Sequence, residues 1–171
     1  AHMFAAAAPD EEIVHGACAP GWDDPSRSDA VTEWIDDLEA AGIRRVCCLL
    51  SNGQVQQFDG LLDRYRERFG AKHVLHAPIT DHELAASGTL SETVLPSLRD
   101  ADAAGEPVVA HCLAGIGRTG QVLTAWLVSA RDYAPNDAVT AVRQSGREPA
   151  EAVRSGNATR AQLDELLRAV S

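Results

Sequence analysis

The sequence contains little lysine, no paired cysteine motif and no long apolar run. Lys72 is the only lysine, arginine supplies the rest of the basic charge, and the formal net charge of the 171 residues is −10 at pH 7. An acidic surface repels nucleic acid and anionic lipid, so we expect neither nucleic acid nor a membrane as a partner. A local basic pocket could still bind an anion.

No apolar stretch is long enough for a transmembrane helix. The apolar residues 4–8 are too few to cross a bilayer, and no basic segment precedes them, which predicts a cytoplasmic protein without an export signal. Ala1-His2 is typical of a tag remnant ahead of Met3. We therefore expect residues 1–12 to be that remnant and a flexible, solvated lead-in, and residues 13–171 to form one domain.

The four cysteines form no metal motif. Cys18, Cys47, Cys48 and Cys112 include no C-x-x-C pair, and no Cys/His spacing indicates a zinc site. We expect no metal and no other cofactor. Cytosolic context favours free thiols, but a reversible disulfide between Cys48 and Cys112 remains open if their strands are neighbours and the demanding geometry is met.

Apolar spacing predicts alternating strands and helices. The expected strands are 13–14, 46–50, 73–79 and 107–111. A loop over 17–28, which includes Pro25, should end at Ser28 or Asp29 as the N-cap of the first helix. Helices are expected from that cap to Gly42, over 58–69, from about Ser91 with Pro96 in an early turn or at a kink, and over 119–131, 137–144 and 159–170. This alternation indicates a single compact α/β domain, in which helices flank a mainly parallel sheet of four to five strands.

The stretch HCLAGIGRTG, residues 111–120, lies between a predicted strand and a predicted helix. Backbone N–H groups of such a loop can converge on one point, with the positive end of the helix behind them, which makes an anion site. Gly115 and Gly117 allow a close approach of the backbone, and the Arg118 guanidinium can grip two phosphate oxygens. The same amides stabilise a thiolate at Cys112, which is placed for in-line attack on phosphorus. No metal is required, because Arg118 and the amides neutralise the oxygens.

This loop resembles the signature of cysteine-dependent protein tyrosine and dual-specificity phosphatases, which is His-Cys, five residues, Arg and Ser/Thr. HAPITDHE (76–83) is similar to their general-acid segment. CAPGW (18–22) and AAGIRRVCCLLSNGQ (40–54) are similar to the kinase-associated phosphatase group and to compact archaeal tyrosine phosphatases. The resemblance covers about residues 13–170. It implies a dual-specificity phosphatase-like fold and a hydrolase of phosphorylated proteins or peptides that acts through a cysteinyl-phosphate intermediate.

The resemblance also implies roles for individual residues of the loop. Cys112 would be the nucleophile, and Arg118 would bind the phosphoryl group. Thr119 would hydrogen-bond the thiolate and could also be a helix N-cap, and His111 would orient the loop. The phosphate cradle would be formed by the backbone amides of Leu113, Ala114, Gly115, Ile116, Gly117 and Arg118.

Residues outside the loop complete the expected site. Asp81 is the expected general acid, because it follows the 73–79 strand at the edge where Cys112 lies, and His82 and Glu83 are alternative acids. Gln162 is a candidate for positioning the attacking water, against an exposed helix surface. Arg147 could contact substrate or do nothing specific, and Trp22 and Gln54 could line the pocket mouth.

Other functions remain open beside protein dephosphorylation. The chain could be a catalytically silent module that binds phosphoproteins, or a redox sensor that uses a reactive thiol. A non-protein phosphate ester could also be the substrate. The variable loop positions Leu113, Ala114 and Ile116 are not basic, which argues against a highly anionic substrate.

Overall fold

A five-stranded sheet forms the centre of the described structure. The computed structural model describes residues 1–22, 24 and 27–171, so Pro25 of the predicted loop lies outside the described residues. The strands are β1 (Ala5–Ala6), β2 (Val14–Ala17), β3 (Arg45–Cys48), β4 (Val74–His76) and β5 (Val108–His111), in the spatial order β1-β2-β5-β3-β4. Every neighbouring pair is parallel except β1 with β2. The predicted α/β fold with a mainly parallel sheet is confirmed.

Strand β5 is buried along its whole length between β2 and β3. A continuous apolar run such as Val108–Ala110 is typical of a parallel strand that is covered on both faces. His111 pairs in register with Ala17 of β2 and with Cys48 of β3. The carboxyl ends of three strands therefore meet at one edge of the sheet, which is where ligands bind in parallel α/β sheets.

Helices cover both faces of this sheet. They are α1 (Ser28–Ala40), α2 (Asn52–Val55), α3 (Leu61–Phe69), α4 (Leu95–Ala104), α5 (Gly117–Ala130), α6 (Pro135–Gln144), α7 (Glu151–Arg154) and α8 (Arg160–Val170). Helix α5 is buried over most of its length, because α4, α6 and α8 pack around it. One apolar cluster includes Ala110 and Trp126, and the other includes Val109 and Trp34, as expected for alternate residues of a strand. Within the described residues, no helix is long and apolar enough to cross a membrane.

Most predicted elements are present with shifted ends. The predicted strands 46–50 and 73–79 are longer than β3 and β4, although the chain stays paired beyond them through Ala77 N–H to Cys48 and Ile79 N–H to Leu49. A π-helical turn at Thr89–Val94 leads into α4, and Pro96 lies in the first turn of α4, as predicted. The four-residue helices α2 and α7 were not predicted, because helices this short have no apolar period.

Two predictions about the first third of the chain are wrong. Helix α1 begins with Arg27 at the N-cap, in place of Ser28 or Asp29. Residues 1–12 are not a flexible lead-in, because β1 extends the sheet and Ala7 is fully buried. The carboxylate of Glu11 accepts hydrogen bonds from Trp126, Arg131 and two backbone N–H groups.

Glu11 looks solvated in the sequence because charged side chains are seldom buried without a partner. Its partner, Arg131, lies 120 residues further along the chain. Burial alone would raise the pKa of Glu11, but the hydrogen bonds from Arg131, the Val14 backbone and Trp126 prevail and lower it. The segment before residue 13 is therefore attached to the core of the domain.

Candidate active site

The loop over 112–118, called here the Cys112 loop, joins β5 to α5. Its Leu113 carbonyl accepts a hydrogen bond from Ala19 N–H at 2.9 Å, and its Ile116 carbonyl accepts one from Glu148 N–H at 3.1 Å. These carbonyls are directed at the body of the protein. N–H groups at the start of a helix have no partner within that helix, so those of the first turn of α5 and of the loop before it can bind an anion.

Arg147 supports the Cys112 loop from inside the protein. Its Nη1 donates to the Gly115 carbonyl and its Nη2 donates to the Met3 carbonyl, both at 2.6 Å. The residue is only 3% exposed, and this burial lowers the pKa of Arg147. The structure therefore gives Arg147 a structural place behind the loop and not the substrate contact that the sequence left open.

Cys112 lies at the base of the loop with its thiol almost fully buried. Thr119 Oγ1 donates a hydrogen bond to Cys112 Sγ at 3.0 Å. Thr119 is in the first turn of α5, and Ile116 occupies the N-cap, so the further prediction that Thr119 could be the N-cap is wrong. A hydroxyl in this position stabilises a thiolate more than a neutral thiol, because the acceptor then carries charge.

His111 is completely buried beside the Cys112 loop. Its Nδ1 lies 2.8 Å from the Cys112 carbonyl, and its Nε2 lies 3.0 Å from the Tyr65 hydroxyl. Since a carbonyl can only accept, we assign the proton to Nδ1 and the hydroxyl hydrogen of Tyr65 to the bond with Nε2. Burial lowers the pKa of His111 to about 4, so the ring is neutral near pH 7. A neutral ring held at both nitrogens fits an orienting role.

Arg118 and Asp81 face each other across the entrance to the loop. Arg118 is 2% exposed, and its Nη2 lies 3.1 Å from Asp81 Oδ1. Its Nη1 donates to the Ile79 carbonyl at 3.0 Å and to Gln54 Oε1 at 2.7 Å. The structure thus brings Arg118, Asp81 and Gln54 together. Gln54, which the sequence placed at the pocket mouth, forms hydrogen bonds with both charged side chains.

A cavity of about 200 Å³ lies over the Cys112 loop. The predicted nucleophile Cys112, the phosphate-binding Arg118 and the general acid Asp81 all line this cavity. Glu151 also lines it, although the sequence gives no signal for this residue. The residues that line the cavity are Trp22, Asp81, His82, Cys112, Leu113, Ala114, Ile116, Gly117, Arg118 and Glu151.

His82 lies between two carboxylates at the rim of this cavity. Its Nε2 is 3.6 Å from Asp81 Oδ2, and its Nδ1 is 3.4 Å from Glu151 Oε1. Its backbone has a φ of 63°, a left-handed conformation that is uncommon outside glycine. Glu83, the other alternative acid, is exposed and is not among the lining residues. Asp81 is the carboxylate that faces both Arg118 and the cavity.

Two amide side chains fasten the segment that carries Asp81. Gln121 of α5 accepts from Ala85 N–H and donates to the Glu83 carbonyl, both at 2.8 Å. Asn157 donates to the His82 carbonyl at 2.9 Å. Because α5 also begins at the Cys112 loop, Gln121 ties the acid segment and the nucleophile to one rigid element.

Gln162 is not brought to the cavity. Its side chain accepts from Thr159 N–H, and Thr159 Oγ1 accepts from Gln162 N–H, which closes a capping box at the start of α8. This reciprocal capping explains the Thr-Arg-Ala-Gln pattern without reference to catalysis. The prediction that Gln162 positions water is therefore unsupported, and the exposed helix end is its observed place.

The described residues contain two groups that could offer three ligand atoms to a cation. In each group the ligand atoms lie within 4.8 Å of one another, and the groups are His2, Glu33 and Asp37, and Asp81, His82 and Glu151. The second group adjoins the cavity, but the Arg118 guanidinium lies against Asp81 and would repel a cation there.

Cys48 lies on the strand next to the one that carries the nucleophile. Cys48 and Cys112 are not joined by a disulfide, and Cys48 is fully buried. Burial raises the pKa of Cys48 to about 12. Cys48 therefore stays protonated near neutral pH and would not itself attack an oxidised Cys112 readily.

A strand, a Cys-x5-Arg-Thr loop and a helix on a mainly parallel sheet define the class of protein tyrosine and dual-specificity phosphatases. A family model described as Tc-R-P, "polymorphic toxin system, DSP-PTPase phosphatase", matches residues 20–132. The chain belongs to this family.

Curated relatives match a shorter part of the chain. Dual specificity protein phosphatase OPG106 of Monkeypox virus is 29% identical over 68 residues, which is 40% of this chain and 40% of the viral protein. Dual specificity protein phosphatase H1 of Variola virus matches equally well. The chain thus matches about two-fifths of the length of these relatives.

Solved phosphatase structures share the fold over almost the whole chain. Tk-PTP in its active form is 24% identical, with a TM-score of 0.67, over 91% of this chain and 93% of that one. Kinase associated phosphatase, with serine in place of its catalytic-site cysteine, is 17% identical with a TM-score of 0.67, over 88% of this chain and 86% of that one. PTPMT1 in complex with PI(5)P is 14% identical with a TM-score of 0.69, over 98% and 96%.

Proposed function

We propose that this protein hydrolyses phosphate monoesters of proteins or peptides through a cysteinyl-phosphate intermediate. Cys112 is the nucleophile, Arg118 binds the phosphoryl group and Asp81 is the general acid. The observation that carries the proposal is the single cavity that these three residues line, with Arg118 bonded to Asp81 at 3.1 Å. Family membership supports the same chemistry.

The first step transfers the phosphoryl group to sulfur. The Cys112 thiolate attacks phosphorus, the ester P–O bond breaks, and Asp81 gives its proton to the leaving oxygen. Arg118 and the N–H groups of the Cys112 loop hold the phosphoryl oxygens, so the positive charge that the transition state needs comes from the protein. The proposal therefore needs no metal. Arg118 must exchange Asp81 for the phosphoryl group when substrate binds.

The second step returns the enzyme to its starting state. Water attacks phosphorus, the P–S bond breaks, and the Asp81 carboxylate takes a proton from the water. The Thr119 hydroxyl, 3.0 Å from Cys112 Sγ, donates to the sulfur as negative charge returns to it. The products are inorganic phosphate and the free enzyme, and the alcohol or phenol has already left. We propose that this occurs in the cytoplasm, where thiols stay reduced.

The charge of the cavity favours a singly phosphorylated substrate. Of its described lining residues, Arg118 and His82 are basic, whereas Asp81 and Glu151 are acidic. A second phosphate next to the first would approach Glu151 and be repelled. A phosphorylated side chain of a protein, with tyrosine as the first substrate to test, therefore suits the site better than a polyphosphorylated lipid or sugar.

The test is the pH dependence of para-nitrophenyl phosphate hydrolysis with a chelator present. We expect a bell-shaped profile for the parent protein and no turnover for Cys112→Ser, which should still bind phosphate. Turnover in Cys112→Ser would refute the mechanism. A parent protein that is folded and reduced but inactive would favour the phosphoprotein-binding module.

The family description suggests the setting of this activity, because it names polymorphic toxin systems. We propose that the chain is the phosphatase part of such a system and dephosphorylates proteins of a target cell. Expression of the parent protein should then slow host growth, and Cys112→Ser at equal level should not. Equal growth of both cultures would contradict this setting and leave the phosphatase chemistry intact.

A further inference from the structure

Gln54 connects the two charged side chains of the cavity. Its Oε1 accepts from Arg118 Nη1 at 2.7 Å, and its Nε2 donates to Asp81 Oδ2 at 3.2 Å. No step of the proposed mechanism uses this amide. We propose that Gln54 is a positioning residue that decides which oxygen of Asp81 carries the proton, an inference that rests on the proposed function.

The orientation of the Gln54 amide is fixed by its neighbours. Besides Arg118, the backbone N–H of Ser51 donates to Oε1 at 3.3 Å. A reversed amide would place its NH₂ group against two donors, so the oxygen must face them. The NH₂ group is then directed at Asp81 and can only donate.

The backbone around Gln54 holds this amide in place. Gln54 is the third residue of α2, and Ser51 Oγ accepts from Gln54 N–H at 3.2 Å. With the bond from Ser51 N–H to Oε1, this closes a capping box that is separated from the end of β3 only by the buried Leu49 and Leu50. The amide is thus attached to the sheet edge that carries the Cys112 loop.

The two oxygens of Asp81 have different surroundings. Oδ2 accepts from Gln54 and lies 3.6 Å from His82 Nε2, whereas Oδ1 faces Arg118 at 3.1 Å. A phosphoryl group that takes over Arg118 frees Oδ1 and leaves Oδ2 bonded to Gln54. The proton therefore belongs on Oδ1, the oxygen on the side where the leaving group lies.

Asp81 has charged neighbours of both signs. Arg118 favours its carboxylate form, the neighbouring His82 does so when protonated, and Glu151 and the Cys112 thiolate line the same cavity and oppose that form. The hydrogen bond from Gln54 Nε2 also favours the carboxylate form of Asp81. If this donor is replaced by an acceptor, the carboxylate form of Asp81 loses this hydrogen bond and meets a second acceptor.

Gln54→Glu is the first variant to test, because it keeps the shape, the capping box and an acceptor for Arg118, and replaces the donor to Asp81 by a charged acceptor. The basic limb of the kcat/KM profile, which follows the general acid of the proposed mechanism, should move to higher pH. KM should rise at the same time, since the new carboxylate competes with phosphate for Arg118. Gln56→Glu, two residues away and exposed, adds the same charge and should leave the profile in place.

Gln54→Ala provides a second measurement. It removes the donor without adding charge, so the basic limb should move up by less than in Gln54→Glu. If Gln54→Glu does not turn over, the comparison of Gln54→Ala with the parent decides. A basic limb that stays with the parent and Gln56→Glu overturns the inference, even though the parent retains Cys112-dependent turnover. A parent without such turnover would instead overturn the proposed function.

Discussion

Gly115→Ala should damage both stability and the phosphate site, because Gly115 meets two separate restrictions. Its φ is +80°, a left-handed conformation that costs a residue with a side chain about 1–2 kcal/mol. A Cβ atom there would lie 2.8 Å from the Ala17 carbonyl oxygen and 2.9 Å from Cys18 N. These atoms belong to the backbone where β2 ends, so they cannot move aside as a flexible side chain could.

The two restrictions give the expected magnitude. Overpacking of this kind costs about 1–3 kcal/mol, so the free energy of unfolding should fall by about 2–5 kcal/mol in total. Gly105→Ala is the matched control, because Gly105 has a φ of +66° and nothing within 4 Å of its Cβ position. It should lose only the conformational part, about 1–2 kcal/mol.

Urea unfolding of the parent, Gly115→Ala and Gly105→Ala measures these costs. The rate of Cys112 alkylation by iodoacetate, with and without inorganic phosphate, reports on the loop in the folded protein. We expect phosphate protection to be lost in Gly115→Ala alone, since relief of the contact must displace the loop. The reasoning is refuted if Gly115→Ala is no less stable than Gly105→Ala and retains phosphate protection.

Two further predictions concern buried ionisable groups. Burial holds the pKa of His111 at about 4 in the folded protein, whereas an unfolded histidine titrates near ~6.5. Between these two pH values the unfolded state therefore binds more protons than the folded state. His111 should cost the parent roughly 3 kcal/mol of stability as the pH falls from about 6.5 to about 4. Urea unfolding across this range should show a smaller loss in His111→Gln, and parallel curves would contradict the assignment. Glu11→Ala should lower the free energy of unfolding by about 3 kcal/mol, because it removes a partner of Trp126 and Arg131 from a buried site. Glu12→Ala, at an exposed neighbour, should change the free energy of unfolding little. Equal losses in the two variants would show that the hydrogen bonds of Glu11 do not stabilise the fold.

The sequence alone predicts the part of the site whose reactive residues directly follow a predicted strand. The Cys112 loop follows a buried strand and precedes a helix, so one local pattern predicts the fold class, the anion site and the meeting of Cys112 with Arg118. Asp81 is predicted for a similar reason, because it follows another strand at the same edge of the sheet. Parallel strands align such positions whatever lies between them.

Other parts of the site depend on contacts between distant segments, which no local pattern reports. Glu151 reaches the cavity only because the short helix α7 lies across the start of α5, and Gln54 approaches Arg118 across 64 residues of chain. For Gln162 the sequence predicted a catalytic role where the structure shows only a helix cap. Its pattern was similar to a family segment, but the same letters also satisfy the capping rule of α8.

Asp81→Asn offers a way to separate the two charges that the free protein pairs. Asp81 and Arg118 are bonded at 3.1 Å, yet the proposed mechanism needs Arg118 on phosphate and Asp81 on the leaving oxygen. Asparagine cannot donate an acidic proton, so hydrolysis of an alkyl phosphate should slow by about 10²–10⁴-fold. Hydrolysis of para-nitrophenyl phosphate should slow less, because that leaving group needs little protonation.

Binding should change in the opposite direction to turnover. The variant removes a negative charge that lies beside a bound dianion and competes for Arg118, so inorganic phosphate should inhibit Asp81→Asn at a lower concentration than the parent. Asp59→Asn, at an exposed position, makes the same chemical change and should alter neither quantity. Tighter phosphate inhibition together with slower alkyl turnover would show that one carboxylate restrains the arginine before binding and serves the leaving group afterwards. If both substrates slow equally and phosphate inhibition is unchanged, Asp81 is neither the acid nor the partner that substrate displaces.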